Sequence, residues 1–403
     1  MKLKVAIIIE RADVALGGAE RSVIELTEAL GAIDLDVHLL AAKGASQSRN
    51  VHILCPGLPG KRTNVRLFEQ VLKKHLEKNH YDILHSVLPF DFADVYQPRG
   101  GTYAETIIRN AASYCNKLVG LWKRWSSILN LRRTMLLKAE RKLCGMQNGP
   151  AIIAISQYVA EQFQRHYGVG NSRITVIPSG VKISEPDNKE AERLKKQIFS
   201  RPGVNKADNP VLFLFVANNF RLKGLGCLIR AMKLASAKQT APAKNSQGQA
   251  RPAYLIVVGS DKTAPCRRLA TKLNVAERVL FLGEVARIAD VLAIADVAAL
   301  PTFYDPCSRF ILEALAVGKP VITTRFNGAN EQFSNNRHGR VIDKPDDIEG
   351  LADALVYFTD PANIQKASQA IMKDNIRQHV SISRVAEQLK AVYAEIINKR
   401  RQR

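Results

Sequence analysis

The strongest constraint on this chain is a rhythm. Short, continuous β-branched runs at residues 4–9, 36–41 and 82–85 alternate with amphipathic helical stretches at 18–30 and 65–76. Strands apolar on both faces are buried on both faces, and strands separated by helices pair in parallel. The rhythm continues with a strand at 151–155, a helix at 157–166 and a strand at 174–177. It breaks at 184–209, where Pro, Asn, Asp and a Lys/Glu-rich stretch intervene, and restarts with a strand at 211–216. Strands at 254–258, 279–282, 297–300 and 320–324 follow, interleaved with helical stretches at 225–235, 269–274, 288–294 and 309–316. The 403 residues exceed what one hydrophobic core ordinarily serves. The expected fold is α/β: two Rossmann-like domains whose parallel sheets face a cleft. Expected boundaries are 1–183 for the first domain, 184–209 for a linker, 210–380 for the second domain, and 381–403 for a terminal helix and basic tail packing back on the first domain. Residues 237–252, rich in Ala, Pro, Gln, Lys and Ser, read as an exposed insertion.

Charge narrows the partners. Lys and Arg number 59 against 37 Asp and Glu, a formal charge of +22. Such an excess points to an acidic partner: nucleic acid, anionic lipid or a phosphorylated substrate. None of the six cysteines shows C-x-x-C spacing, and a chain this long needs no staples, so reduced thiols are expected. The apolar run at 5–9 is too short for a signal peptide, and the stretch 143–160 is interrupted by Asn148, Gly149 and Pro150. A cytoplasmic protein, soluble or peripheral to a membrane, is the expectation.

Three motifs carry chemistry. Gly17 and Gly18 follow the first strand and open the first helix, where backbone can approach a ligand and free N–H groups favour anions. A plain tight turn is the alternative, and the absence of a full G-x-G-x-x-G argues against a nicotinamide enzyme. The run Asn218 to Gly224 follows the first strand of the second domain and carries Arg221 and Lys223, two cations suited to a diphosphate leaving group or to a solvated turn. Asp305 and Glu313 lie eight residues apart, one in a loop after a strand and one two turns into the next helix. Carboxylates in such places pair with adjacent sugar hydroxyls; the plain alternative makes Asp305 a helix cap and Glu313 a surface residue.

Together with Gly17–Glu20, the run 155–181, Lys223-Gly224 and Phe281-Leu282-Gly283, these motifs resemble the retaining GT-B glycosyltransferases that carry a Glu-x7-Glu motif. Within that family the chain is similar to the bacterial enzymes that add glucose to the lipopolysaccharide core. The resemblance covers nearly the whole chain. It implies that Lys223, Arg221 and Asp305 serve the chemistry, Arg221 and Lys223 neutralising the diphosphate and Asp305 holding a sugar hydroxyl. It implies that Gly17 and Gly18 approach the donor, and that Glu313 binds the ribose. Backbone at Gly283 and Val285 is implied to meet the base, and backbone N–H groups near Phe310 and Ile311 a phosphate. The donor is expected to be a nucleotide diphosphate sugar, UDP-glucose by resemblance, and the acceptor a lipopolysaccharide-core or other membrane-associated saccharide. No cofactor and no metal are expected. Two departures from the family pattern bear on the donor sugar: Asp rather than Glu at 305, and Pro306-Cys307-Ser308 after it.

On the acceptor side, His85 ends a strand and Arg99 is flanked by Pro98 and two glycines. His85 reads either as an acceptor contact or as a satisfied backbone partner, and Arg99 either as an acceptor-phosphate contact or a loop cation. The segment 103–144 reads as a basic amphipathic helix. It holds both tryptophans, Trp122 and Trp125, nine bases between Arg109 and Lys142, and one acid there, Glu140. Cations beside Trp and Leu at helical spacing suit an anionic membrane surface, against the alternative of a helix packed on its own domain with a solvated basic face. A nucleotide-sugar epimerase shares such an architecture. A nucleic-acid-binding protein is the other rival, and no nucleic-acid motif accompanies the basic residues, so nucleic acid is not an expected partner.

Overall fold

A computed structural model describes residues 2–44, 50–57, 62–114, 116–126, 129–201, 203–240 and 251–402. Residues 241–250 of the expected insertion lie outside it. Among the described residues the chain forms two units, Met1–Lys182 with Ser381–Arg403, and Ile183–Val380.

The first unit is built on seven strands: β1 (Lys4–Ala12), β2 (Asp36–Gly44), β3 (Val51–Ile53), β4 (Ile83–Ser86), β5 (Val95–Tyr96), β6 (Ala151–Ala154) and β7 (Ile174–Val176). They are ordered β3-β2-β1-β4-β5-β6-β7, every pairing parallel. Val5, Ile7 and Ile9 of β1 enter one core, while Ala6 and Ile8 enter the core on the opposite face. That double burial is why β1 reads as one unbroken apolar run. The first core is completed by the helix Ile382–Arg401, whose Val385, Leu389 and Tyr393 pack with Leu26 and Leu30. Its basic end is engaged on the same unit: Arg400 pairs with Asp94 and donates to the Asp82 carbonyl at 3.0 Å.

The expected single helix over 103–144 is three: Tyr103–Ala112, Lys117–Ser126 and Leu131–Gly145. The later two start on asparagines, Asn116 Oδ1 accepting from Leu118 N–H at 2.9 Å and Asn130 Oδ1 from Arg133 N–H at 3.0 Å, and a buried glutamate anchors each of the first and third. Glu105 in the first helix is met by Arg109 at 2.7 Å, Arg165 at 3.0 Å and His166 at 2.7 Å. Burial works to raise its pKa, but His166 and Arg109 outweigh that and hold it below the usual carboxylate value. Glu140 in the third helix accepts from Tyr96 Oη at 2.8 Å, Tyr167 Oη at 2.5 Å and the Tyr103 N–H at 2.8 Å. The first and third helices are thereby fixed to β5 and to the helix Gln157–Tyr167.

Burial pushes Glu140 up to about 7 despite the Tyr167 and Tyr96 hydroxyls and the Tyr103 N–H, which favour its charge. An acid whose folded value lies above its unfolded one loses stability as pH rises between the two. The unit should therefore weaken from pH ~4.5 to ~7 by an amount on the order of 3 kcal/mol, and be flat above. Glu140→Gln should flatten that slope while keeping an acceptor for the tyrosines. Denaturant midpoints measured from pH 5 to pH 7.5 check this, and a wild-type curve without slope would remove Glu140 as its source.

The second unit carries β8 (Val211–Val216), β9 (Ala253–Val258), β10 (Val279–Gly283), β11 (Val297–Leu300), β12 (Val321–Thr324) and β13 (Gly339–Ile342), ordered β10-β9-β8-β11-β12-β13. Every pairing is again parallel. Residues 184–209, read as a linker, contain the helix Asn188–Phe199, capped by Asp187 and burying Ala191, Leu194 and Ile198. Asp187 N–H donates to the buried Asp290 at 2.7 Å, which ties that stretch to the helix Ile288–Ile294. In the second unit strand order reverses between β8 and β11. In open α/β sheets such a reversal leaves a crevice at the carboxyl ends of the two strands, where ligands bind.

Candidate active site

The loops after β8 and β11 meet at that reversal. Gly224 has φ 81°, and a Cβ there would lie 2.0 Å from the Pro301 carbonyl oxygen, so only glycine allows the two loops to touch. Phe303 N–H donates to the Leu222 carbonyl at 2.9 Å, and Thr302 Oγ1 donates to the same oxygen at 3.2 Å. The β8 loop is also fixed from its other side, where Phe220 N–H donates to Asp261 at 2.7 Å. This framework brings Lys223 Nζ to 2.6 Å from Asp305 Oδ2, with a further hydrogen bond to the Tyr304 carbonyl at 3.0 Å. Two residues named from separate motifs, 82 positions apart, thus form one ion pair. Their side chains are 21% and 15% exposed, so both keep surface for a ligand. Arg221 lies in the same turn, half-buried.

Asp305 is fixed by its backbone: its N–H donates to the Phe326 carbonyl, and its own carbonyl accepts from Gly328 N–H, each at 2.9 Å. The residue between those partners, Asn327, is fully buried and absent from the sequence reading. Its Oδ1 accepts from Ser308 N–H at 3.0 Å and Ala329 N–H at 3.1 Å, and its Nδ2 donates to Thr323 Oγ1 at 2.9 Å. Asn327 thus sets Ser308 where the helix Arg309–Ala316 begins, and Ser308 caps that helix. A lone Asn amid a turn gave no signal of this role.

The helix places the next group. Phe310 and Ile311 are buried in the core, so their backbone alone can meet a phosphate, and the Ile311 N–H faces Ser308 Oγ at 3.5 Å. Glu313 is not a surface residue: its carboxylate lies 2.9 Å from Arg309 Nε, and the side chains are 15% and 14% exposed. Gly283, with φ 78°, ends β10, and a Cβ there would meet open space; Val285 follows, half-buried.

In the first unit strand order also reverses, between β1 and β4. Gly17 caps the helix Gly18–Gly31 with φ 149°, and Glu20 in its first turn pairs with Arg11. His85 differs from its reading as an acceptor contact. It is fully buried, its Nδ1 lies 2.6 Å from Tyr393 Oη, and its ring packs against Tyr393. Burial and the neighbouring charge of Arg99 lower its pKa to about 3, against a pull from Gln97. The imidazole is neutral and presents no surface to an acceptor; it joins β4 to the terminal helix. Arg99 is half-buried and retains some surface.

Comparison with known proteins agrees with this fold. Residues 196–379 match the family model of glycosyl transferases group 1, and residues 16–185 match that of glycosyltransferase family 4. The lipopolysaccharide glucosyltransferase WaaG of Escherichia coli K12 is 24% identical over 287 residues, 70% of each chain. A crystal structure of WaaG superposes over 95% of this chain and 94% of its own, with TM-score 0.66 and 20% identity. A structure of Anabaena HepE in complex with UDP-glucose covers 98% of this chain and 100% of its own, with TM-score 0.68 and 18% identity. With two parallel α/β units, a charged pair at the strand reversal and two consecutive family matches, the chain belongs to the group 1 glycosyltransferases of GT-B architecture.

Proposed function

We propose that this glycosyltransferase moves a hexose, glucose from UDP-glucose, onto a lipopolysaccharide-core or other membrane-associated saccharide, with retention of configuration and without a metal. The Lys223–Asp305 pair at the strand reversal carries the reading. The names of the relatives, a lipopolysaccharide glucosyltransferase and a UDP-glucose complex, support donor and acceptor class. In the reaction the bond from the sugar's anomeric carbon to the diphosphate oxygen breaks. Lys223 and Arg221 neutralise the departing oxyanion, with the N-terminus of the helix Arg309–Ala316 adding a partial positive charge. Asp305, oriented by Lys223, accepts from a sugar hydroxyl. The acceptor hydroxyl then bonds to the anomeric carbon on the same face, and its proton leaves with the diphosphate. Glu313, turned by Arg309, holds the ribose hydroxyls, and backbone at Gly283 and Val285 meets the base. Gly17 and Gly18 approach the donor, and Arg99 contacts an acceptor phosphate.

Thermal stabilisation by UDP, GDP and their glucose and mannose conjugates tests the donor. UDP and UDP-glucose should raise the unfolding midpoint most; a stronger response to guanosine compounds would replace the base assignment. Glu313→Ala should weaken UDP-glucose by about tenfold, the worth of one charge-assisted hydrogen bond, as read by calorimetric titration. Unchanged donor affinity would remove its ribose role.

For the acceptor's membrane we propose a narrower contact than 103–144. No helix among the described residues is long and apolar enough to cross a bilayer. The outer stretch, however, exposes Leu118, Leu121, Trp122, Trp125, Leu129 and Leu131, Trp122 at 62% and Trp125 at 68%. Exposed Lys123, Arg124, Lys138 and Arg141 lie on the same segment, with Lys123 Nζ over the Trp122 ring. Arg132 and Lys142 are instead engaged by Glu10 and Asp91. Aromatic and aliphatic groups amid cations suit the interface of an anionic bilayer. Replacing both Trp122 and Trp125 by Ser should lower partitioning onto phosphatidylglycerol vesicles by tenfold or more. Equal sedimentation of variant and wild type would relocate the contact.

A further inference from the structure

The second unit contains a cavity of about 420 Å³. That falls within the roughly 300–1,000 Å³ of small-molecule sites. It lies away from the donor loops. Lys319 in its wall precedes β12, so the cavity sits at the amino ends of the strands, whereas Lys223 and Asp305 follow the carboxyl ends of β8 and β11. Most of its lining is apolar, including Leu292, Leu315, Ile371 and Met372. Met372 is 66% exposed, so its side chain is accessible at the cavity wall.

Ser184, Asn375 and Lys319 interrupt this lining, and Glu185 and Arg377 stand at its rim. Lys319 is half-buried, and among the described residues its ammonium makes no hydrogen bond and no ion pair within 4 Å. Desolvation lowers its pKa; Asp296 pulls the other way from beyond pairing distance, with its carboxylate already accepting from Leu212 N–H at 2.8 Å. At the rim Arg377 faces Glu185 at 3.5 Å, both well exposed. The cavity therefore offers a mostly apolar lining, one cation without a carboxylate in pairing distance and a facing Arg377–Glu185 pair at the rim. A half-buried charge in such a setting is stabilised by an anion, and a carboxylate at the rim disfavours a doubly charged head.

We propose that this cavity is a second binding site of the enzyme, for a single-chain fatty carboxylate whose head pairs with Lys319 and whose hydrocarbon chain lies on Leu292, Leu315, Ile371 and Met372. The site is independent of the donor reading. The chain segments that enter the unit at Ile183 and leave it after Arg377 both line it.

Calorimetric titration of the full chain with dodecanoate, below the concentration at which it forms micelles, tests the site. One saturable site is expected, and its absence would overturn the proposal. Lys319→Gln should weaken it tenfold or more, by loss of a charged partner. Ala293→Trp, an exposed lining position, should abolish it by filling the trough without entering the core. The double Trp122→Ser, Trp125→Ser variant should bind dodecanoate as wild type does. Loss in that variant instead would assign the binding to the exposed tryptophans and overturn the proposal. So would unchanged binding in both cavity variants, or equal affinity for dodecyltrimethylammonium, whose charge is reversed.

Discussion

Lys223→Ala is expected to lower transfer turnover by two to three orders of magnitude, roughly 2.7–4 kcal/mol of transition-state stabilisation. The reasoning is electrostatic. Charge develops on the diphosphate oxygen only as the anomeric bond breaks, so a fixed ammonium near that oxygen acts on the rate more than on binding. Lys223 is fixed: the Tyr304 carbonyl and Asp305 hold its ammonium, and Gly224 locks the turn behind it. The same pairing predicts a secondary loss of stability, because alanine leaves the half-buried Asp305 carboxylate without its cation. Assaying Lys223→Ala well below its own unfolding midpoint separates the two effects. The folded variant should still turn over slowly, with its affinity for the donor little changed. Turnover restored once the variant is fully folded would mean that the lysine serves folding alone. Steady-state rates beside thermal midpoints for variant and wild type give the answer.

Gly224→Ala should be strongly destabilising. Its φ of 81° lies in the left-handed region, which costs an L-residue about 1–2 kcal/mol. The new methyl would also stand 2.0 Å from a backbone oxygen, that of Pro301, and neither loop can retreat without breaking hydrogen bonds between Leu222, Thr302 and Phe303. A total near 3 kcal/mol or more is expected, lowering the unfolding midpoint by about 6–12 °C for a unit of this size. Whatever protein remains folded should be poorly active, because the parting of the loops carries Lys223 away from Asp305. Full activity at low temperature in a folded Gly224→Ala protein would show that the loops tolerate separation.

Much of this was written in the sequence, and the omissions have physical causes. The long strands β1, β2, β8 and β9 are buried on both faces and read as unbroken apolar runs. β3 and β5, of three and two residues, are too short to show any period, and neither is foreseen. The site behaves similarly. Lys223, Asp305 and Glu313 stand out because charges at strand–helix turns and amid apolar helical residues demand a reason. Asn327 supports two of them from a turn where Asn is ordinary. His85 looks accessible at a strand end, but its surroundings depend on Tyr393, 308 positions later. The segment 103–144 is legible as basic and amphipathic, whereas the anchoring of its first and third helices depends on Glu105 and Glu140 meeting partners on β5 and on the helix Gln157–Tyr167.

The closing of the first core by the helix Ile382–Arg401 has a temporal consequence. Chains emerge from the ribosome at about 5–20 residues per second, N-terminus first. Ile183–Val380 can assemble as soon as it emerges, because all of its strands are local to that stretch. Met1–Lys182 cannot: Leu26, Leu30 and the imidazole of His85 wait for Leu389 and Tyr393, which are made some 200 residues later. The half of the protein that is born first is thus the half that matures last, and through that interval its greasy flank is a natural client for holding chaperones.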